Sequence, residues 1–171
     1  MNSFEIKIPE TKQSLVFANK ALRTFCDARQ IAPKDKETGG ILFAKISHGA
    51  VQIVEATKAE KSASKSRNMF MPSLKQKRIA VKKAFKEGLH FVGEWHTHPE
   101  CSPKPSSLDL HSMEDSFKRS KHELSRFIMV IVGNCEEFLS LSITLHSNQD
   151  VLKLGLFRLD PKCLDENSSY E

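Results

Sequence analysis

The chain has 171 residues, with 26 Lys and Arg against 21 Asp and Glu and a formal net charge of +5. This length favours one domain over two, and a hydrophobic fraction of 39% with 27% charged residues is typical of a soluble globular protein. The N-terminus does not resemble a signal peptide, and no stretch approaches the ~20 apolar residues that span a bilayer. We therefore expect a cytoplasmic protein with no membrane partner.

The order of apolar periods, turn residues and prolines predicts alternating strands and helices. In chain order we expect a strand at 4–8, a helix at 11–30, strands at 41–46 and 50–56, a helix at 73–87, a strand at 89–98, a helix from 106, and strands at 126–132, 138–145 and 152–159. We assign 1–160 to a single domain and 161–171 to a frayed polar tail.

Residues 57–71 are polar and basic without an apolar period, so we expect a mobile loop or an irregular crossing there. In the helix at 73–87, Leu74, Val81, Ala84 and Phe85 are expected to share one apolar face. Its six Lys and Arg residues are typical of a solvated helix face. The alternatives are a surface for an acidic partner or, less favoured, for nucleic acid.

The four cysteines are far apart and form no Cys-x-x-Cys pair. In a domain of this size without a secretion signal, we expect reduced thiols, mostly in the core, rather than disulfides.

Two histidines stand one residue apart at the end of the strand predicted at 89–98. Successive side chains of a strand alternate between faces, so His96 and His98 point the same way, with Cα atoms ~6.6 Å apart. Asp109, in the first turn of the next helix, supplies a carboxylate. Catalytic zinc sites take three such ligands and leave one position for water. The sequence therefore predicts a zinc site at His96, His98 and Asp109.

Two further residues complete a hydrolytic site. Zinc strongly lowers the pKa of bound water, toward ~7, and a carboxylate is then needed to move protons. Glu37, at the mouth of the strand at 41–46, is the candidate general acid/base. Ser106 is the candidate donor to the oxyanion of the tetrahedral intermediate.

Each fragment also has a simpler interpretation. A His-x-His pair occurs on exposed edge strands, and a glutamate before Gly-Gly is often a turn residue. Ser106-x-x-Asp109 has the form of a capping box. We expect capping and metal binding to exclude each other, because a carboxylate committed to zinc cannot also face the cap amide.

Two neighbours of the histidines admit other roles. Cys101 could be a thiol nucleophile or a fourth zinc ligand that closes the site. Glu94 shares a strand face with His96 and could orient a metal ligand, or be an ordinary strand residue.

Taken together, the pattern Glu…His-x-His-Pro-x6-Ser-x-x-Asp resembles the JAMM motif of the JAB1/MPN metalloprotease family, and residues 95–99 with 105–106 are similar to its bacterial branch. The resemblance covers about 35–145. It implies an α/β fold of the α+β type, with a curved mixed β-sheet flanked by helices. The family roles carried over are zinc binding by His96, His98 and Asp109, water activation by Glu37, and oxyanion stabilisation by Ser106.

The resemblance also implies an activity. The family hydrolyses isopeptide or peptide bonds after the C-terminal tail of ubiquitin or a ubiquitin-like modifier. The chain is most similar to stand-alone bacterial members, and among these we favour the deconjugases of cyclic-oligonucleotide antiphage signalling (CBASS), where a nucleotidyltransferase is conjugated through its C-terminus and later released. Related members instead trim sulfur-carrier precursors with a Gly-Gly tail, and the sequence does not separate the two. A non-catalytic MPN scaffold and a nucleic-acid-binding domain are the alternatives of other classes.

Overall fold

The computed structural model describes residues 3–32, 34–58 and 73–164. Within these ranges eight strands form one mixed sheet in the order β1-β2-β4-β3-β5-β6-β7-β8, flanked by three α-helices and a 3-10 helix. The strands are β1 Phe4–Lys7, β2 Ser14–Phe17, β3 Gly39–Ile46, β4 Ala50–Ala56, β5 His90–Thr97, β6 Phe127–Val132, β7 Leu139–His146 and β8 Val151–Leu159. The helices are α1 Asn19–Ala28, α2 Leu74–Lys86 and α3 Ser107–Arg119, with the 3-10 helix at Pro161–Leu164. The predicted mixed sheet with flanking helices is confirmed.

Helices cover both faces of the sheet. On one face, Leu22 and Phe25 of α1 pack with Trp95 of β5 in the largest apolar cluster. On the other face, Met113 and Phe117 of α3 pack against β6, and α2 packs against β3 and β5. Every residue of β6 and β7 is buried. In β6 all six residues are apolar, as expected of a strand covered on both faces, whereas β7 also buries Ser140, Ser142, Thr144 and His146. No helix of the described ranges is long and apolar enough to cross a membrane.

The helix predicted at 11–30 is too long. Residues Ser14–Phe17 form β2, which pairs antiparallel with β1 and parallel with β4, and the helix begins at Asn19. Leu15 and Phe17 are both fully buried, which is the alternation of a strand. Leu15 fits both the helical spacing of three and four residues and the alternation of a strand. The sequence pattern therefore predicted one long helix in place of a strand followed by a helix.

The helix α2 lies where the sequence predicts it, but only half of its predicted apolar face meets the sheet. Ala84 is buried in the cluster formed with β3, and Val81 packs against this cluster. Leu74 and Phe85 are 72% and 67% exposed, so the prediction is wrong for these two residues. Of the segment predicted as a mobile loop, residues 59–71 lie outside the described residues.

The first residues of the predicted polar tail are packed. Leu164 is buried in the largest apolar cluster, and its carbonyl oxygen accepts hydrogen bonds from Nε and Nη2 of Arg23 at 3.0 and 2.7 Å. Residues 161–164 are thus anchored to α1, whereas 165–171 lie outside the described residues.

The expectation of unpaired thiols is wrong for two cysteines. Cys101 and Cys135 pair as a disulfide, with Cα atoms 4.6 Å apart, within the range that the bond requires. The physical reason is topological: β5 and β6 are parallel neighbours, so the loops that follow them lie at the same edge of the sheet. A separation of 34 residues in the chain concealed that proximity.

Reduction of this disulfide should lower the stability of the oxidised protein. Closing a loop of 34 residues restricts the unfolded chain and is worth about 2–4 kcal/mol. Urea unfolding of the oxidised protein with and without dithiothreitol measures the difference, and Cys135→Ser is the control, since it should unfold identically under both conditions. Equal wild-type midpoints with and without reductant would contradict the pairing.

Candidate metal centre

The two histidines lie at the carboxyl end of β5, on the sheet face covered by α2 and α3. His96 ends the strand with Thr97, and the backbone N–H of His98 still donates to Val132 O of β6 at 2.9 Å. Thr97 between them is fully buried on the opposite face. The extended backbone therefore presents both imidazoles on one side, as the sequence predicts.

Three side chains converge there. His96 Nε2 lies 3.2 Å from His98 Nε2 and 3.1 Å from Asp109 Oδ1, and His98 Nε2 lies 3.4 Å from Asp109 Oδ2. In tetrahedral zinc sites with bonds of ~2.0–2.1 Å, neighbouring ligand atoms are ~3.3 Å apart. The three residues thus form a group that could hold a metal ion. Two imidazole nitrogens and one carboxylate oxygen are ligands that transition-metal ions take, zinc and iron among them.

Asp109 serves the helix cap and the histidines at the same time. Its Oδ2 accepts hydrogen bonds from the backbone N and from Oγ of Ser106, both at 2.7 Å, and its backbone N donates to Ser106 Oγ at 3.1 Å. This is a complete capping box at the start of α3. The capping box uses Oδ2 and leaves Oδ1 facing His96 at 3.1 Å, so one carboxylate can serve the cap and still present an oxygen to the histidines.

The charges of the three residues are strongly coupled. Burial by itself would raise the pKa of the Asp109 carboxyl, but hydrogen bonds from His96 and His98 hold this pKa far below its usual range. The hydrogen bond to Asp109 raises the pKa of His98, against the opposing effect of burial. The Asp109 carboxylate is therefore anionic at neutral pH.

Glu37 lies beside this group because of strand pairing. Gly39 of β3 pairs with His96 of β5. One residue further, the backbone N of Thr97 donates to Thr38 O at 2.8 Å, so the pairing continues toward Glu37 on one segment and toward His98 on the other. A Cβ at Gly39 would lie 2.3 Å from Trp95 O, so glycine permits the approach of the two strands. Burial raises the pKa of the half-buried Glu37 carboxyl, while the charges of His98 and His96 oppose the rise.

Glu100 also contacts the candidate site, and the sequence did not lead us to predict it. Its Oε2 lies 3.4 Å from His98 Nδ1, so it contacts the ring nitrogen that faces away from Asp109. Partners of this kind fix the orientation of a metal-binding imidazole. A carboxylate two residues after the second histidine was the available signal.

The loop that carries Glu100 is held by the turn after β6. Asn134 donates from its backbone N to Glu100 O at 3.0 Å and from Nδ2 to Pro99 O at 2.6 Å. The disulfide from Cys101 to Cys135 fastens the same two segments. Because its sulfur is bonded to Cys135, Cys101 is neither a nucleophile nor a fourth metal ligand in this structure.

The chain is similar to known proteins in sequence and in fold. Residues 20–144 match the family described as prokaryotic homologs of the JAB domain. This range contains every predicted site residue. In fold, the chain is similar to the solution structure of a protein from Desulfitobacterium hafniense, with a TM-score of 0.60 and 18% identity over 80% of this chain and 87% of that one.

Two curated relatives are both called CD-NTase/cGAS isopeptidase. The one from Enterobacter hormaechei subsp. hoffmannii is 36% identical over 99 residues, which cover 57% of this chain and 55% of that protein. The one from Pseudomonas aeruginosa is 29% identical over 136 residues, which cover 77% of this chain and 85% of that protein. The first match thus spans about half the length of the relative. The family match, in contrast, covers most of the chain, and the protein belongs to the prokaryotic homologs of the JAB domain.

Proposed function

We propose that this protein is a zinc-dependent isopeptidase. It would cleave after the C-terminal tail of a ubiquitin-like modifier, or of a nucleotidyltransferase conjugated in a ubiquitin-like manner, in the cytoplasm. The observation that carries the proposal is the convergence of His96, His98 and Asp109 at 3.1–3.4 Å. This donor set matches tetrahedral zinc and leaves a fourth position for the reaction.

The relatives support the substrate class. Both are named as isopeptidases of CD-NTase/cGAS, which favours a conjugated nucleotidyltransferase, as in CBASS deconjugation, over a sulfur-carrier precursor. A non-catalytic scaffold has no need of a converged ligand group with a carboxylate beside it, so we favour an enzyme.

The ligand atoms would be Nε2 of His96, Nε2 of His98 and a carboxylate oxygen of Asp109. When bound, zinc lowers the pKa of water and polarises the scissile carbonyl. Glu37 would accept the proton of the water that attacks the carbonyl carbon. It would then deliver this proton to the leaving nitrogen as the C–N bond breaks. For an isopeptide this nitrogen is a lysine amine.

Ser106 is proposed as the donor to the oxyanion. Its hydroxyl donates to Asp109 Oδ2 at 2.7 Å, and a hydroxyl carries a single proton. Ser106 would therefore exchange its bond to Asp109 for one to the substrate oxygen as negative charge develops there.

Removal of the metal should abolish cleavage. The substrate is a C-terminal modifier tail joined to a reporter, and the cut is located by mass spectrometry. Treatment with a zinc chelator should eliminate turnover, because the three ligands alone do not activate water, and added zinc should restore it. Cleavage by the chelated protein at the original rate would exclude the metal mechanism.

Glu37→Gln should separate proton transfer from metal binding. The amide cannot accept the proton of water, so we expect kcat to fall by about 10²–10⁴-fold while zinc content stays at the wild-type level. The matched control is Glu137→Gln, at an exposed position outside the site. If Glu37→Gln loaded with zinc kept the wild-type kcat, Glu37 would not be the general base.

A further inference from the structure

We propose that Lys77, Glu94 and Ser116 form a polar brace that positions His96 and Asp109 for the metal, with Lys77 as a positioning residue. The proposal rests on the metal site of the proposed function. The sequence suggests only a solvated face or a partner surface for the basic helix α2. The brace gives this helix a further role, toward the metal site.

The three side chains bond to one another in a closed triangle. Lys77 Nζ lies 2.5 Å from Glu94 Oε1 and 3.1 Å from Ser116 Oγ, and Ser116 Oγ donates to Glu94 Oε1 at 3.2 Å. The Lys77 ammonium also lies 4.4 Å from the centre of the Phe91 ring, a cation–π distance. The triangle joins α2, β5 and α3 through one carboxylate oxygen.

The brace is shielded from water. The side chains of Lys77 and Glu94 are 16% and 26% exposed. Exposed ion pairs contribute little to position or stability, whereas loss of one partner from a shielded pair leaves the other charge uncompensated. Lys77 is thus unlike the other cations of α2, since it points inward.

Two of the three elements that carry the brace, β5 and α3, also carry a proposed metal ligand. Glu94 precedes His96 by two residues on β5, so the two side chains share a face about 6.6 Å apart. Ser116 follows Asp109 by seven residues, which is two turns along the same side of α3. The strand and the helix therefore meet twice, at His96 with Asp109 and at Glu94 with Ser116.

Apolar packing alone would not fix this relation. Met113 and Phe117 of α3 pack against Phe127, Met129 and Ile131 of β6, the strand beside β5. Burial of apolar area is non-directional, but hydrogen bonds have narrow distance and angle ranges. The brace therefore sets the separation and tilt of α3 relative to β5, on which the distance from His96 to Asp109 depends.

Two opposite charge changes distinguish positioning from simple electrostatics. Lys77→Met leaves an unpaired anion near the metal ligands, and Glu94→Gln leaves an unpaired cation. An effect of charge alone would make zinc binding tighter in the first variant and weaker in the second. Positioning predicts that both variants bind zinc more weakly.

The experiment measures the zinc dissociation constant of the full chain by competition with a chromophoric chelator, at a temperature where circular dichroism shows all variants folded. We expect Lys77→Met and Glu94→Gln each to bind zinc about 10–100-fold more weakly. The visible absorption of the Co²⁺-loaded variants should also shift, because it reports ligand geometry; a role in fold stability alone would leave this spectrum unchanged. The control is Lys118→Met, which removes the exposed ion pair between Lys118 and Glu114 within α3. It should change neither the zinc affinity nor the Co²⁺ spectrum.

The outcomes separate the two proposals. If the wild-type protein binds no zinc, the proposed function and the brace both fail. If the wild-type protein binds zinc and both variants bind it equally well with the same Co²⁺ spectrum, the brace alone is overturned. Opposite shifts in the two variants would show that charge, and not position, acts on the site.

Discussion

The Asp109 carboxylate connects the fold to the candidate chemistry. One of its oxygens closes the capping box with Ser106, and the other faces His96 at 3.1 Å. The start of α3 and the position of the proposed third ligand are therefore one structural feature. A shift of the first helical turn would move the carboxylate, and loss of the carboxylate would remove its half of the capping box, leaving only the bond from Asp109 N to Ser106 Oγ. The histidines in turn keep Asp109 ionised, so the group is ready for a cation.

Strand pairing supplies the rest of the site. The antiparallel pairing of β3 with β5 brings Glu37 to His98 although the two are far apart in sequence. The parallel pairing of β5 with β6 brings the turn at Asn134 and Cys135 under the loop after the histidines. Each contact restricts an element that carries a ligand or its neighbour. We infer that the centre is preorganised by backbone pairing on one side and by the polar brace on the other.

The sequence predicted most elements and the side of β5 on which the histidines lie, because periodicity and alternation are local properties. It missed β2, since Leu15 fits both a helical and a strand period. It misjudged Leu74 and Phe85, because a pattern of apolar residues does not show which face of a helix meets the sheet. The disulfide and the brace depend on residues 34, 17 and 39 positions apart, which come together only through tertiary structure.

His96, His98 and Asp109 are proposed to bind one zinc ion together. X-ray diffraction from crystals of the zinc-loaded protein, measured above and below the zinc absorption edge, locates the ion. We expect an anomalous peak about 2.0–2.2 Å from Nε2 of both histidines and from a carboxylate oxygen of Asp109. A zinc-loaded crystal with no peak there, or with its peak at other residues, would contradict the proposal.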